Sequence, residues 1–351
     1  MTLPIRRFAA LAGLALGMAA CRGSGSIDLP DLDEIGAHAA LADERDETRE
    51  PAAITAIALS ADGRLLGYGN AVGAFQLFKV PRFEPLTGES RFPYFVTSPE
   101  IVAASWRADL FCYLTRAGSL QFPAAHPTGS GVSLGRISGG FIAPGGDVIA
   151  WSQRSRLLFQ ANVESPRDSF TGRAVPFAAD IDVIAAAATQ RELLVVTGRP
   201  GQPAAVEWFD RQGVEAGGSG PRRRRVELGV AASAIAVDET ARRFVVAVDH
   251  GVELRSLDDG ALVARIATTE SVPHAVGDGR RFALVQGDSL AFLNLGSDGR
   301  APTVSARCFV HKGGITAIAL SADGRTLATG GALGDVRLFR IRPATHGVAT
   351  P

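Results

Sequence analysis

The chain has 351 residues, a formal net charge of zero and 21% charged residues. Nucleic-acid binders carry a basic stripe, and this even balance argues against one. About 300 residues follow a polar N-terminal stretch, enough for one large domain or two.

In chain order, Met1–Ala20 holds Arg6 and Arg7, an apolar run from Phe8 to Gly17, and small residues before Cys21. That is the layout of a secretory signal peptide. The apolar run is about ten residues and a membrane span needs about 20, so residues 1–20 read as a signal rather than a transmembrane helix. Met18-Ala19-Ala20-Cys21 resembles the bacterial lipobox, in which the Cys becomes the lipidated first residue of the mature chain. The resemblance implies lipidation at Cys21 and anchoring in the bacterial envelope. Arg22, where Asp would retain the protein elsewhere, points to the outer membrane. Ordinary cleavage that leaves a free Cys21 is the alternative. Residues 21–50 are Gly/Ser-rich and then acidic, from Asp28 to Glu50. They read as a flexible tether, with a short helix over 37–49 or a partner-binding tail as further options.

Residues 51–342 carry a repeat, leaving 343–351 as a tail. Ile54–Val80 (ITAIALSADGRLLGYGNAVGAFQLFKV) and Ile315–Ile341 (ITAIALSADGRTLATGGALGDVRLFRI) align without a gap, and roughly two thirds of the positions are identical. Ile315–Leu320 alternates as a strand does. Ser321-Ala322-Asp323-Gly324-Arg325 is a turn, as is its copy around Asp62-Gly63: Gly accepts positive φ and Asp bonds back to the backbone. Thr326–Thr329 and Asp335–Ile341 follow as strands. Three strands cannot cover their own two faces, so neighbouring copies must do so.

His311, the Ser-Ala-Asp-Gly turn, Thr329 in the second strand and Val336-Arg337-Leu338-Phe339 in the third resemble a WD40 repeat. The resemblance implies an all-β propeller of four-stranded antiparallel blades. It departs from the family pattern at Phe339, where Trp is usual, at Arg340, and at Leu333 and Val72, where the family places its turn Asp. The buried His–Ser/Thr–Trp–Asp network of that family is therefore expected to be incomplete, with apolar packing in its place. His311 is expected to be a structural loop residue.

Five weaker copies lie between, over 101–122, 140–163, 181–210, 230–257 and 272–295, each reading strand, polar turn, strand, turn, strand. With both ends they make seven blades, six or eight being the alternatives. Fourth strands are expected around 92–96, 132–134, 173–177, 225–228, 261–267 and 304–310. Which terminus closes the ring stays open, since residues 43–50 are too charged for a strand. Cys112 and Cys308 fall in strands of distant blades and read as buried small hydrophobes rather than a disulfide.

No catalytic set converges in the sequence. The six histidines (38, 126, 250, 274, 311 and 346) show no metal-ligand spacing, and no cofactor motif occurs. Gly131-Val132-Ser133-Leu134-Gly135 matches a nucleophile-elbow string without the following helix. Asp147, Asp182, Glu207, Asp249 and Asp288 read as solvated acids. Arg222, Arg223, Arg224 and Arg225 form the sharpest charge cluster, either a contact for phosphate groups or an acidic partner or a solvated loop between blades four and five.

These readings point to a lipid-anchored envelope protein, monomeric, whose propeller is a non-catalytic platform for protein partners. A propeller enzyme or carbohydrate binder, using acids and Trp106, Trp151 or Trp208 around the channel, is the alternative. An assembly factor for outer-membrane proteins is a third. Tryptophans buried between blades favour the platform; an aromatic shelf beside converging carboxylates favours the alternative.

Overall fold

The structure is a computed structural model and describes residues 32–39, 52–86, 100–107, 110–122, 136–142, 148–152, 156–160, 173–176, 181–199, 202–215, 222–268, 275–277, 281–295, 302–305 and 308–342. The described chain is almost wholly β. A strand near the N-terminus, β1 (Leu32–Ala39), precedes the first repeat, which supplies β2 (Ile54–Leu59), β3 (Leu65–Asn70), β4 (Phe75–Lys79) and β5 (Glu84–Pro85). Next come β6 (Ile101–Arg107), β7 (Leu110–Thr115) and β8 (Leu120–Gln121), then β9 (Gly139–Ile142), β10 (Val148–Ser152), β11 (Arg156–Gln160) and β12 (Arg173–Pro176). The fourth group is β13 (Asp182–Ala188), β14 (Glu192–Gly198), β15 (Ala205–Asp210), a short helix α1 (Arg211–Glu215) and β16 (Arg222–Glu227). The fifth is β17 (Ala232–Asp238), β18 (Arg243–Val248), β19 (Gly251–Ser256) and β20 (Leu262–Ala267). The sixth is β21 (Ala275–Gly277), β22 (Arg281–Gln286), β23 (Ser289–Asn294), β24 (Thr303–Val304) and β25 (Cys308–Phe309), and the last is β26 (Ile315–Leu320), β27 (Thr326–Gly331) and β28 (Asp335–Ile341).

Each group forms its own antiparallel meander, and the strands of one sheet do not pair with those of the next. Six sheets have four or more strands and are complete blades; β6–β7–β8 has three among the described residues. First strands of consecutive sheets pack side by side, and β26 packs on β2, so the sheets close into a ring. This is a β-propeller.

The core is divided among the seams between sheets. Leu77, Phe75 and Ala58 meet Ile101, Trp106 and Phe111 across one seam, and Val206 and Trp208 meet Phe244 and Val246 across another. The last seam joins Val336 and Leu338 of β28 to Ile54, Ile57 and Leu66 of the first repeat. Each sheet is therefore buried on both faces, so its strands read as near-continuous apolar runs rather than clean alternations. Two glycines mark the tightest approaches. A Cβ on Gly330 would lie 2.4 Å from Ile54, and one on Gly69 would lie 2.6 Å from Ile101. The same pairing of second-strand glycine with first-strand isoleucine thus recurs at two successive seams.

Five first strands share one irregularity. The register shifts at Ile54/Ala56, Ile101/Ala103, Val183/Ala185, Ala232/Ala234 and Ile315/Ala317. A bulge at the same place bends each strand in the same way, and it ties weak copies to strong ones better than their side chains do.

The ring is closed by the N-terminal strand. β1 pairs along the full length of β28, Leu32 opposite Ile341 and Ala39 opposite Asp335. The stretch 21–50 is thus not wholly a tether: Leu32–Ala39 is a strand, and the helix expected over 37–49 is replaced at its start by β1. The pattern was hard to read because β1 is an edge strand with acidic residues at Asp33 and Glu34, both on the ladder. Asp33 pairs with Arg342 and Glu34 with Arg337. In the first sheet the strand beside β4 is Glu84–Pro85. The expected strands at 92–96 and 132–134, the signal 1–20, Cys21 and the tail 343–351 lie outside the described residues.

Candidate functional site

The two strong repeats build their first turns identically. Ser60 Oγ donates to Asp62 Oδ1 at 2.7 Å, and Arg64 N donates to the same oxygen at 3.0 Å. In the last repeat Ser321 Oγ donates to Asp323 Oδ1 at 2.6 Å and Arg325 N at 3.0 Å. Gly63 and Gly324 both sit at φ 67°, which only glycine adopts without strain. These turns lie at one end of the ring.

The buried network expected to be incomplete keeps its histidine, hydroxyl and acid in the last sheet and lacks the tryptophan. His311 Nδ1 lies 2.6 Å from Asp335 Oδ2 and donates to it, and Nε2 lies 2.7 Å from Thr329 Oγ1, accepting its hydroxyl. The acid comes from Asp335, four positions before Phe339, rather than from the turn position held by Leu333. Linear spacing does not mark this aspartate; only the folded turn brings Asp335 to the imidazole. Phe339 stands in the place of the tryptophan and contributes apolar packing at the seam with the sixth sheet, not a hydrogen bond. Burial holds the His311 imidazole below its usual pKa, against the opposing pull of Asp335. The whole side chain is buried, bridging the second strand and the start of the third.

In the first repeat the position of Thr329 is held by Tyr68 and that of Arg337 by Gln76. Tyr68 Oη donates to Gln76 Oε1, and His38 of β1 reaches the same oxygen across the seam at 3.3 Å. His38 also stacks on Phe83, ring centroids 5.5 Å apart. The middle sheets use ions at the same register. Glu207, read from sequence as a solvated acid, is buried; it accepts from Thr197 Oγ1 at 2.8 Å and from Arg225 at 3.0 Å. Glu253 is buried against Arg255, whose Nε is 2.8 Å away and which also donates to Gly260 O at 2.7 Å. A polar residue between two apolar ones in a third strand (Val-Glu-Trp, Val-Glu-Leu, Val-Arg-Leu, Phe-Gln-Leu) is the sequence signal for this position. Asp249 and Asp288 are exposed turn residues, as expected.

Arg222–Arg225 are not a loop between blades: they form most of β16, the outer strand of the fourth sheet. Phe209, Trp208 and Glu207 pair opposite them, so the edge strand takes its register from β15. Arg225 is engaged by Glu207 and Glu227, and Arg224 donates to the Asp258 carbonyl while its guanidinium lies 5.8 Å from the Trp208 ring centroid. The side chains of Arg222 and Arg223 lie outside the described residues. Cys112 and Cys308 are buried free thiols in separate seams.

The tryptophans sit in the seams. Trp106 is buried and donates from Nε1 to the Ala58 carbonyl of the preceding sheet at 3.2 Å. Trp208 is buried against Phe244, edge to face at 5.4 Å, and Trp151 is partly buried among the residues joining the third and fourth sheets.

The other end of the ring bears three exposed apolar side chains among exposed polar turn residues such as Asp249 and Asp288. Val72 (56% exposed) and Leu333 (48%) occupy equivalent turns between second and third strands of neighbouring sheets. Phe309 (51%) stands in the segment leading to His311 at the same end. Among the described residues no group of three or more His, Cys, Asp or Glu is placed to hold a metal ion. No protein-family model matches the chain, and no curated protein matches it in sequence.

Proposed function

We propose that this protein is a non-catalytic interaction platform: a WD40-type propeller of seven blades, exported and lipid-anchored through Cys21 in the bacterial envelope. The observation that carries the reading is the exposed apolar set Val72, Leu333 and Phe309, at one end of three successive sheets. Apolar side chains raised on turns of a rigid ring suit contact with a protein surface, whose hot spots are desolvated apolar anchors. The burial of Trp106 and Trp208 in seams supports the platform over a carbohydrate binder with an aromatic shelf. Glu207 and Glu253 are each consumed by an arginine inside a blade, which leaves them no place in an acid pair. For the blade count, β6–β8 makes the same seams on either side as the complete sheets do, while the fourth strand expected at 132–134 lies outside the described residues.

The test is crosslinking and capture from membranes with wild type, Cys21→Ser and the pair Val72→Asp/Leu333→Asp. Recovery of one discrete protein with wild type, its loss with the double variant and release of Cys21→Ser into the soluble fraction support the reading. A soluble Cys21→Ser form that binds or cleaves a glycan overturns it.

A further inference from the structure

The direction of β1 decides which end of the ring faces a bilayer. β1 runs antiparallel to β28, with its first residue, Leu32, opposite Ile341. Ile341 N donates to the Arg325 carbonyl at 2.8 Å, so Leu32 lies at the end that bears the Ser321–Arg325 turn. The Ser60–Arg64 turn is at the same end, because a Cβ on Gly63 would meet Thr326 Oγ1 at 2.8 Å. The entry point is held firmly: Leu32 is buried in the seam with the sixth sheet, and Asp33 is paired with Arg342. Val72 and Leu333 are at the opposite end.

Ten residues, 22–31, separate Cys21 from Leu32. Fully extended they reach about 33–36 Å. The eight residues of β1 rise about 26 Å from one end of the ring to the other. Even at full extension the tether exceeds the blade beside which it would have to climb by only about 7–10 Å. Two arginines at the entry end are matched: Arg64 lies 3.7 Å from Asp62, and Arg242 pairs with Asp258. That end has no unbalanced basic cluster to bind headgroups by itself among these residues.

Resting on lipidation at Cys21, we propose that the end bearing Ser60–Arg64 and Ser321–Arg325 lies against the lipid surface, and that Val72, Phe309 and Leu333 are thereby presented away from it. The membrane contact is set by the tether and the strand direction, not by headgroup electrostatics.

The full chain, purified from membranes and placed in liposomes, tests this with a fluorophore on Ala61→Cys or on Ala71→Cys, both exposed positions. The native thiols at 112 and 308 are buried and do not compete for label. Headgroup-quencher lipids should quench the label at 61 and leave that at 71 bright. Insertion of about 30 Gly/Ser residues between Gly25 and Ser26, which raises the average span to about 32–38 Å, should abolish the difference. Equal quenching at both sites without the insertion, or stronger quenching at 71, overturns the orientation while flotation with the liposomes leaves the anchor standing. Failure of wild type to float overturns the anchor, and the orientation with it. High salt should not strip the protein from the liposomes; release by salt overturns the tether as the determinant.

Discussion

The last sheet and the fifth sheet fill the same position in opposite ways. In the last, opposite Arg337, Thr329 belongs to a Thr329–His311–Asp335 chain of hydrogen bonds, and the aromatic place two residues on is Phe339. In the fifth, Val246 stands where Thr329 does, Glu253 where Arg337 does, and Arg255 takes the aromatic place, closing a buried ion pair. The first sheet is intermediate: Tyr68 and Gln76 are its own, but the histidine, His38, comes from the strand that closes its neighbour. A blade needs its third strand held to its second and to the loop above. It does not need a particular set of residues to do so, nor a complete one: among the described residues Asp335 Oδ1 of the last sheet and Asp238 Oδ2 of the fifth are buried with no hydrogen-bond partner.

The largest way to break this comparison is Glu253→Ala. It leaves Arg255 buried without its carboxylate, and the loss of stability should be about 3–5 kcal/mol, read by denaturant unfolding. Replacing both partners, Glu253→Leu with Arg255→Met, should recover most of that loss; a double variant as unstable as the single one means the pair does more than satisfy itself. His311→Ala strands Thr329 and Asp335 and should cost about 1–3 kcal/mol. A smaller loss than for any exposed control would show the network to be ornamental.

Acid should sharpen the contrast. Burial lowers the pKa of both His311 and His38 in the folded chain. Below about pH 6.5, the unfolded value, the unfolded state binds more protons than the folded one, so stability is complete above that pH and falls as the pH drops through the folded values. Tm should decline from pH 7.5 to 5, and less steeply in His38→Asn. Asp62→Ala and Asp323→Ala remove the same turn bonds from twin repeats and should each cost about 0.5–1.5 kcal/mol, the two values agreeing if the turns are equivalent. Smallest of all, Glu34→Ala loses a half-exposed pair with Arg337 and should change stability by about 0–1 kcal/mol.

Sequence by itself determined the repeat, its strands and its turns. Ile315–Leu320 and Asp335–Ile341 are strands to the residue, because Ser-Ala-Asp-Gly and Gly-rich turns punctuate them by local chemistry. The thiols were legible as buried hydrophobes for the same reason. Sequence did not reveal the closing strand: in the run Leu32–Ala39 the acidic pair Asp33-Glu34 and a register shift at Glu34/Gly36 interrupt the alternation, and pairing with the edge of β28 makes it a strand. Nor did it reveal the polar cement. Asp335, Glu207–Arg225 and Glu253–Arg255 meet through registers between strands and turns, which depend on bulges and pairing that a linear spacing does not record. Arg222–Arg225 looked like a solvated cluster for the same reason, since its partners, Glu207 and the Asp258 carbonyl, are distant in the chain. Local chemistry wrote the strands; pairing across the ring decided which charges are buried, which are spent, and which end of the ring the chain enters.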